Sequence, residues 1–220
     1  MSRKAIIWIA LILIIMTTTG IITAFLLDQE SIEKDHTVGF VKADYDIYFM
    51  KDGIRYEANE VVIPNTTVIK AGVYHINVVD SNAISFIENL RIDFKVTSNI
   101  DTWVRIRIIE TLIFKSENQL GLITESSITT EPTQYFIAAN WYDNQADDGY
   151  FYYMEPIKRL DENNANVLPF IPSYFEGVFY NARPLGYEIQ LAIVVDSVQL
   201  HEGPIHNWFY DTPPWGGTWT

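Results

Sequence analysis

Four histidines (His36, His75, His201 and His206) and 28 acidic residues are the groups with which this chain could do acid–base or metal chemistry. His201-Glu202 begins like the helical zinc motif, in which two histidines and a glutamate share one face. The second histidine comes five residues later, and Gly203-Pro204 between them argues against a helix carrying both imidazoles. His75 falls within a strand pattern and reads as a packed or surface residue. There is no G-x-S-x-G, no phosphate-cradling glycine loop, and no carboxylate spacing that marks a glycosidase pair. No catalytic residue is assigned and no enzyme is expected. Calcium is the one cofactor considered, at Asp143, Asp147 and Asp148 in the run Asp143-Asn144-Gln145-Ala146-Asp147-Asp148-Gly149. That run lacks the alternating ligands and distal glutamate of an EF-hand loop, so a solvated hairpin turn is the preferred reading.

The elements that would position these groups read as strands. Asp52-Gly53 closes a hairpin over residues 43–63 through a type I′ turn. A further strand runs from Val73 to Val79. Leu90, Ile92, Phe94 and Val96 alternate with Arg91, Asp93 and Lys95, and Val104, Ile106 and Ile108 alternate with Arg105 and Arg107. Each is a half-buried strand, and the short turn between them predicts an antiparallel pair. Residues 116–133 read as a long polar surface loop. Gln134–Trp141 and Tyr150–Met154 are strands joined by the acidic turn, residues around Pro169 and Pro172 form a loop-rich connection, and the last strand is Glu188–Leu200. Residues 82–89 hold at most one helical turn. Eight or nine strands at this spacing predict an all-β, antiparallel sandwich or jelly roll.

Composition bounds the class. The formal net charge of −13 makes nucleic acid an improbable partner. No cysteine is present, which excludes disulfides, thiolate metal sites and thiol nucleophiles. Asn65-Thr66-Thr67 is a glycosylation sequon, close to chance in a chain of this length.

Ala5–Leu27 is uncharged and apolar all round, preceded by Arg3-Lys4 and followed by Asp28-Gln29-Glu30. As a helix it would reach roughly 34 Å, enough to cross a hydrocarbon core. The basic flank keeps its start in the cytoplasm and sends the remainder outside. A retained membrane anchor and a removed signal segment both fit. About 190 residues then remain, one ordinary domain. The expected organisation is a signal or transmembrane helix at 1–27, a spacer at 28–37, a β-sandwich at 38–200 and a Trp/Pro/Gly-rich tail at 201–220. Trp208, Trp215 and Trp219 in that tail are costly to leave in water. They fit either a segment folded over one end of the sandwich or a docking segment for a partner.

Several segments, in order, carry a family resemblance. These are Thr23-Ala24-Phe25 before Asp28, Val38-Gly39-Phe40-Val41, the stretch Leu90–Val96 followed by Trp103-Val104-Arg105-Ile106, Asn140-Trp141-Tyr142-Asp143, Asp148-Gly149-Tyr150-Phe151-Tyr152-Tyr153, and Val194–Gln199. They resemble the TasA/camelysin group, bacterial surface and biofilm-matrix proteins exported through a SipW-type signal peptidase. The matching positions include Arg105, Trp141, Asp148, Gly149, Tyr150, Tyr152, Tyr153 and Gln199. Pro156-Ile157-Lys158-Arg159 stands where the family often has Pro-Gly-Glu, and the tail beyond residue 201 has no counterpart. The resemblance implies a jelly-roll-like sandwich, cleavage between Thr23 and Ala24, and an extracellular structural role. It also implies self-association, with residues 24–37 completing the sheet of the next subunit. A membrane-tethered module binding a glycan or partner protein is the second reading, and a surface metallopeptidase the third.

Overall fold

The computed structural model describes residues 40–128, 133, 135–160, 164–172 and 186–219. The chain divides into two units, Met1–Val38 and Gly39–Thr220, and the described residues all belong to the second. The leader, with Arg3, Lys4, Thr23 and Ala24, lies outside the described residues, as does His36.

Among the described residues, eleven strands form two sheets. They are β1 (Val41–Lys51), β2 (Ile54–Glu57), β3 (Glu60–Val62), β4 (Ile69–Asn77), β5 (Leu90–Ser98), β6 (Thr102–Glu117), β7 (Ile123–Ile128), β8 (Trp141–Asn144), β9 (Tyr150–Tyr153), β10 (Asn166–Ile171) and β11 (Tyr187–Gln199). One sheet has the order β10-β5-β1-β2; the other runs β3-β4-β11-β6-β9-β8, with β7 also on β6. All strand pairs are antiparallel. Ile47, Phe49, Leu90, Ile92, Phe94, Val96, Leu168 and Phe170 from the first sheet share one core with Ile76, Val104, Ile106, Leu112, Phe151, Ile189 and Leu191 from the second. The protein is an all-β sandwich.

The hairpin at Asp52-Gly53 forms as the sequence predicts, with Lys51 opposite Ile54. Both turn residues have positive φ, 53° and 77°, which a type I′ turn demands. The hairpin stops at β2, however, and β3 joins the other sheet. The strand expected at Val73–Val79 is β4, shifted four residues earlier at its start.

The predicted pairing of Leu90–Val96 with Val104–Ile108 does not occur. β5 pairs β1 and β10, while β6 pairs β11, β9 and β7. The two apolar sets instead face each other across the core. Strict alternation is the same for strands that pair and strands that pack face to face, so it could not separate the two. Ser98 stabilises the corner: its Oγ donates to the Ile100 carbonyl at 2.6 Å, with the Phe40 carbonyl 3.1 Å away as the alternative acceptor.

Three further corrections concern β7, β10 and β8. β7 lies inside the expected loop 116–133; its polar sequence, Ile-Thr-Glu-Ser-Ser-Ile, hides a strand with little burial. β10 lies in the expected proline-rich connection. Pro169 is tolerated because β10 is an edge strand with a register shift between Pro169 and Ile171. The strand expected at Gln134–Trp141 is instead β8, Trp141–Asn144, and residues 135–138 are irregular. After β11 the short helix α1 (Gly203–Asn207) carries Pro204 in its first turn, where the missing N–H costs nothing. Gly203-Pro204 therefore starts a helix, but one beginning after His201.

Candidate functional site

The outer face of the seven-stranded sheet carries an aromatic and charged cluster. Successive strand residues point to opposite faces, so Val104, Ile106 and Phe151 enter the core while Trp103, Arg105 and Tyr152 point away from it. The register sets Arg105 opposite both Asp196 of β11 and Tyr152 of β9. Arg105 donates to Asp196 Oδ2 from Nε (2.9 Å) and pairs with it through Nη2 (2.8 Å). Its Nη1 donates to the Tyr152 hydroxyl at 3.2 Å. The guanidinium also lies over the rings of Tyr150 (3.9 Å) and Trp208 (4.7 Å). Burial works against its charge, but the hydrogen bonds with Tyr152 and Asp196 prevail and raise its pKa.

Asp148 is the second hub. Its carboxylate accepts from the hydroxyls of Tyr152 (2.5 Å) and Tyr210 (3.0 Å) and from the Tyr150 amide (2.9 Å). Burial first, and the Asp148 carboxylate second, push the Tyr152 phenol well above its ordinary range. Tyr210 is raised for the same two reasons.

The C-terminal segment closes over this platform. Trp208 is 4% exposed, and its indole donates to Asp196 Oδ2 at 2.9 Å. Trp219 stacks edge-on against Trp103 at 5.0 Å and donates to the Tyr210 carbonyl. Trp215 packs on Trp103, Tyr142 and Tyr152. The three tail tryptophans thus sit in a cluster with the sheet. Phe209 points the other way, 87% exposed with a φ of 60°.

The family-resemblance positions divide. Arg105, Asp148, Gly149, Tyr150 and Tyr152 meet on this face. Trp141 lies in the core, donating to the Pro169 carbonyl and packing on Phe94, Phe170 and Tyr153. Gln199, an exposed residue, ends β11. Gly149 has a φ of 83°, and a Cβ there would stand 3.3 Å from Arg107 Nε. Only glycine fits both the turn and the flat guanidinium beside it.

The calcium candidates do not converge. Asp143 accepts from the Gln145 amide in a tight turn, and the Asp147 amide bonds to the Asn144 carbonyl. Asp148 is occupied by phenols. Among the described residues, no group of three or more His, Asp or Glu side chains could hold a metal ion. His206 pairs with Glu202 at 3.4 Å on the surface, and His201 is exposed outside the helix. The sequon asparagine, Asn65, uses its amide on the Ile123 backbone, accepting from N–H and donating to C=O at 2.9 and 2.8 Å.

The far end of the same face holds a network that no sequence motif marks. Glu188, 6% exposed, pairs with Lys115 (2.6 Å) and His75 (2.9 Å) and accepts from Gln190 (3.1 Å). Gln190 also donates to Glu125, which pairs with Lys70. Burial raises the Glu188 pKa, but the bonds from His75, Lys115 and Gln190 outweigh it and hold the carboxyl at about 2. Four strands, β4, β6, β7 and β11, contribute these residues, so their proximity leaves no local signal. The partners of Arg105 are equally distant, with Asp196 far along the chain, although the alternation of Arg105 and Arg107 with apolar neighbours marks their face.

No protein-family model matches the chain, and no curated protein or solved structure matches it.

Proposed function

We propose that this chain is an exported, non-catalytic structural protein of the bacterial cell surface or extracellular matrix, which self-associates by β-strand addition. One observation supports the reading above others. β2 pairs only with Tyr48–Lys51 of β1, and among the described residues no strand covers the same edge of β1 from Val41 to Asp46. Burial follows the pairing. Ile47 and Phe49 are 4% and 2% exposed, whereas Val41, Ala43 and Tyr45 pack on the core but remain half-buried. Such an edge offers backbone donors and acceptors to an extended segment of another chain, whose alternate side chains would complete the core.

The apolar leader supports export, and the segments quoted above support membership of the TasA/camelysin group, with a jelly-roll-like arrangement of the sandwich. On this reading the partners are a second copy of the chain, the membrane through a retained leader, or a signal peptidase where the leader is cut. A cut between Thr23 and Ala24 frees residues 24–37 as the added strand. The test is sedimentation and electron microscopy of purified residues 24–220. Concentration-dependent filaments support the proposal; a strict monomer at high concentration refutes it.

A further inference from the structure

The segment 210–219, which covers the aromatic end, is held together by its own contacts. The Trp219 indole donates to the Tyr210 carbonyl at 2.9 Å, and the Gly216 amide donates to the Pro213 carbonyl at 2.9 Å. Trp215 meets Trp219 edge-on at 5.3 Å. All three contacts travel with the segment. Its hold on the sheet is of another kind. The Tyr210 hydroxyl donates to Asp148 at 3.0 Å, and the rings of Trp215 and Trp219 rest on Trp103, Tyr142 and Tyr152. Among the described residues, positions 211–219 make no hydrogen bond with a strand. The seat beneath the rings is also imperfect: Trp103, 3% exposed, keeps its indole N–H without an acceptor. Lifting the segment would give that group to water, which lowers the cost of opening.

The joint lies at Phe209. Trp208 before it is anchored through its indole to Asp196, and Phe209 turns the chain at a φ of 60° with its ring in solvent. That left-handed conformation is disfavoured for a bulky L-residue. The closed form therefore carries strain at the residue that must rearrange if the segment swings outward. On a second copy the segment would find an identical seat. Every ring contact and the bond from Tyr210 to Asp148 would be regained, and the strain would be gone.

We propose that residues 210–219 exchange between two copies of the chain, each segment docking on Trp103, Tyr142 and Tyr152 of the other. This contact is separate from the open edge of β1 and does not rest on strand addition. Two variants of the full-length chain test it by complementation. Trp103→Ala spoils the seat and keeps the segment; Trp215→Ala combined with Trp219→Ala spoils the segment and keeps the seat. An equimolar mixture is expected to give a one-to-one heterodimer in sedimentation velocity that neither variant forms alone. Association through β1 would appear in each variant by itself, so the two contacts are told apart. The joint supplies a second measurement, which covers a Trp103 variant that fails to fold. After refolding from urea at high concentration, Phe209→Val should strengthen dimerisation relative to the parent and Phe209→Gly should weaken it. Each change should be about 10-fold, since strain is deepened or removed at two joints per dimer. No heterodimer from folded variants, a parent that stays monomeric, or dimerisation indifferent to both Phe209 changes overturns the proposal.

Discussion

The two ends of the outer face of the seven-stranded sheet hold their charges by different means. At one end Arg105 is enclosed by aromatic rings and matched by one carboxylate, while Asp148 is satisfied by two phenols and an amide. At the other end Glu188 and Glu125 share two lysines, a histidine and an amide. The aromatic end has few substitutes: Asp196 Oδ2 gathers Arg105 and the Trp208 indole, Asp148 gathers two phenols, and the buried Trp103 indole N–H has no hydrogen-bond partner, all in a site closed by the tail. The carboxylate end is redundant, since loss of one donor leaves others. Enclosure therefore makes the first end sensitive to mutation, and shared ionisation makes the second sensitive to acid.

The largest expected effect is at the aromatic end. Arg105→Ala leaves Asp196 without its cation, with only the Trp208 indole donating to it, and removes the guanidinium stacked on Trp208, and should cost about 4 kcal/mol in urea unfolding. Lys115→Ala, at the other end, should cost only about 1 kcal/mol, because His75 and Gln190 still reach Glu188. Equal losses would remove the contrast.

Acid should reverse the ranking. The folded Glu188 carboxyl lies at about 2 against an ordinary value of 4.5. A depressed carboxylate contributes stability that is complete above the unfolded value and disappears as pH falls through the folded one. About 3 kcal/mol should therefore be lost between pH 4.5 and 2. Glu188→Gln should be less stable than the parent at neutral pH and show a flatter profile over that window. An unchanged slope would place the acid sensitivity elsewhere.

Smaller effects examine the enclosure itself. Gly149→Ala should cost about 2 kcal/mol, from a side chain at positive φ and the displacement of Arg107. Phe209→Gly should go the other way, raising stability by up to about 1 kcal/mol. Phe209 is 87% exposed and held at a φ of 60°, so little burial is lost and strain is relieved. Both are read from thermal unfolding midpoints.

How far these features could be seen in the sequence depends on their range. The turn at Asp52-Gly53 and the inward phase of Leu90–Val96 are properties of neighbouring residues, and both are found. Which strand lies beside Leu90–Val96 is not local, because pairing in a sheet and facing across a core demand the same alternation. β7 and β10 were hidden because one is polar on both faces and the other carries a proline that only an edge admits. Arg105, Asp148 and Tyr152 were visible as motif positions, but Asp196, Tyr210 and the whole Glu188 network join the site through strand register alone. The tryptophans of the tail were evident as apolar bulk; their seat on Trp103 and Tyr152 follows from the other face of strands whose inner face fills the core.

Self-association at the open edge of β1 is tested most directly by amide hydrogen exchange on residues 24–220, before and after assembly. New protection is expected in Val41–Asp46 on assembly, with β5 and β6 protected in both states. Assembly that leaves Val41–Asp46 exchanging as in the monomer, or no assembly at any concentration, would contradict it.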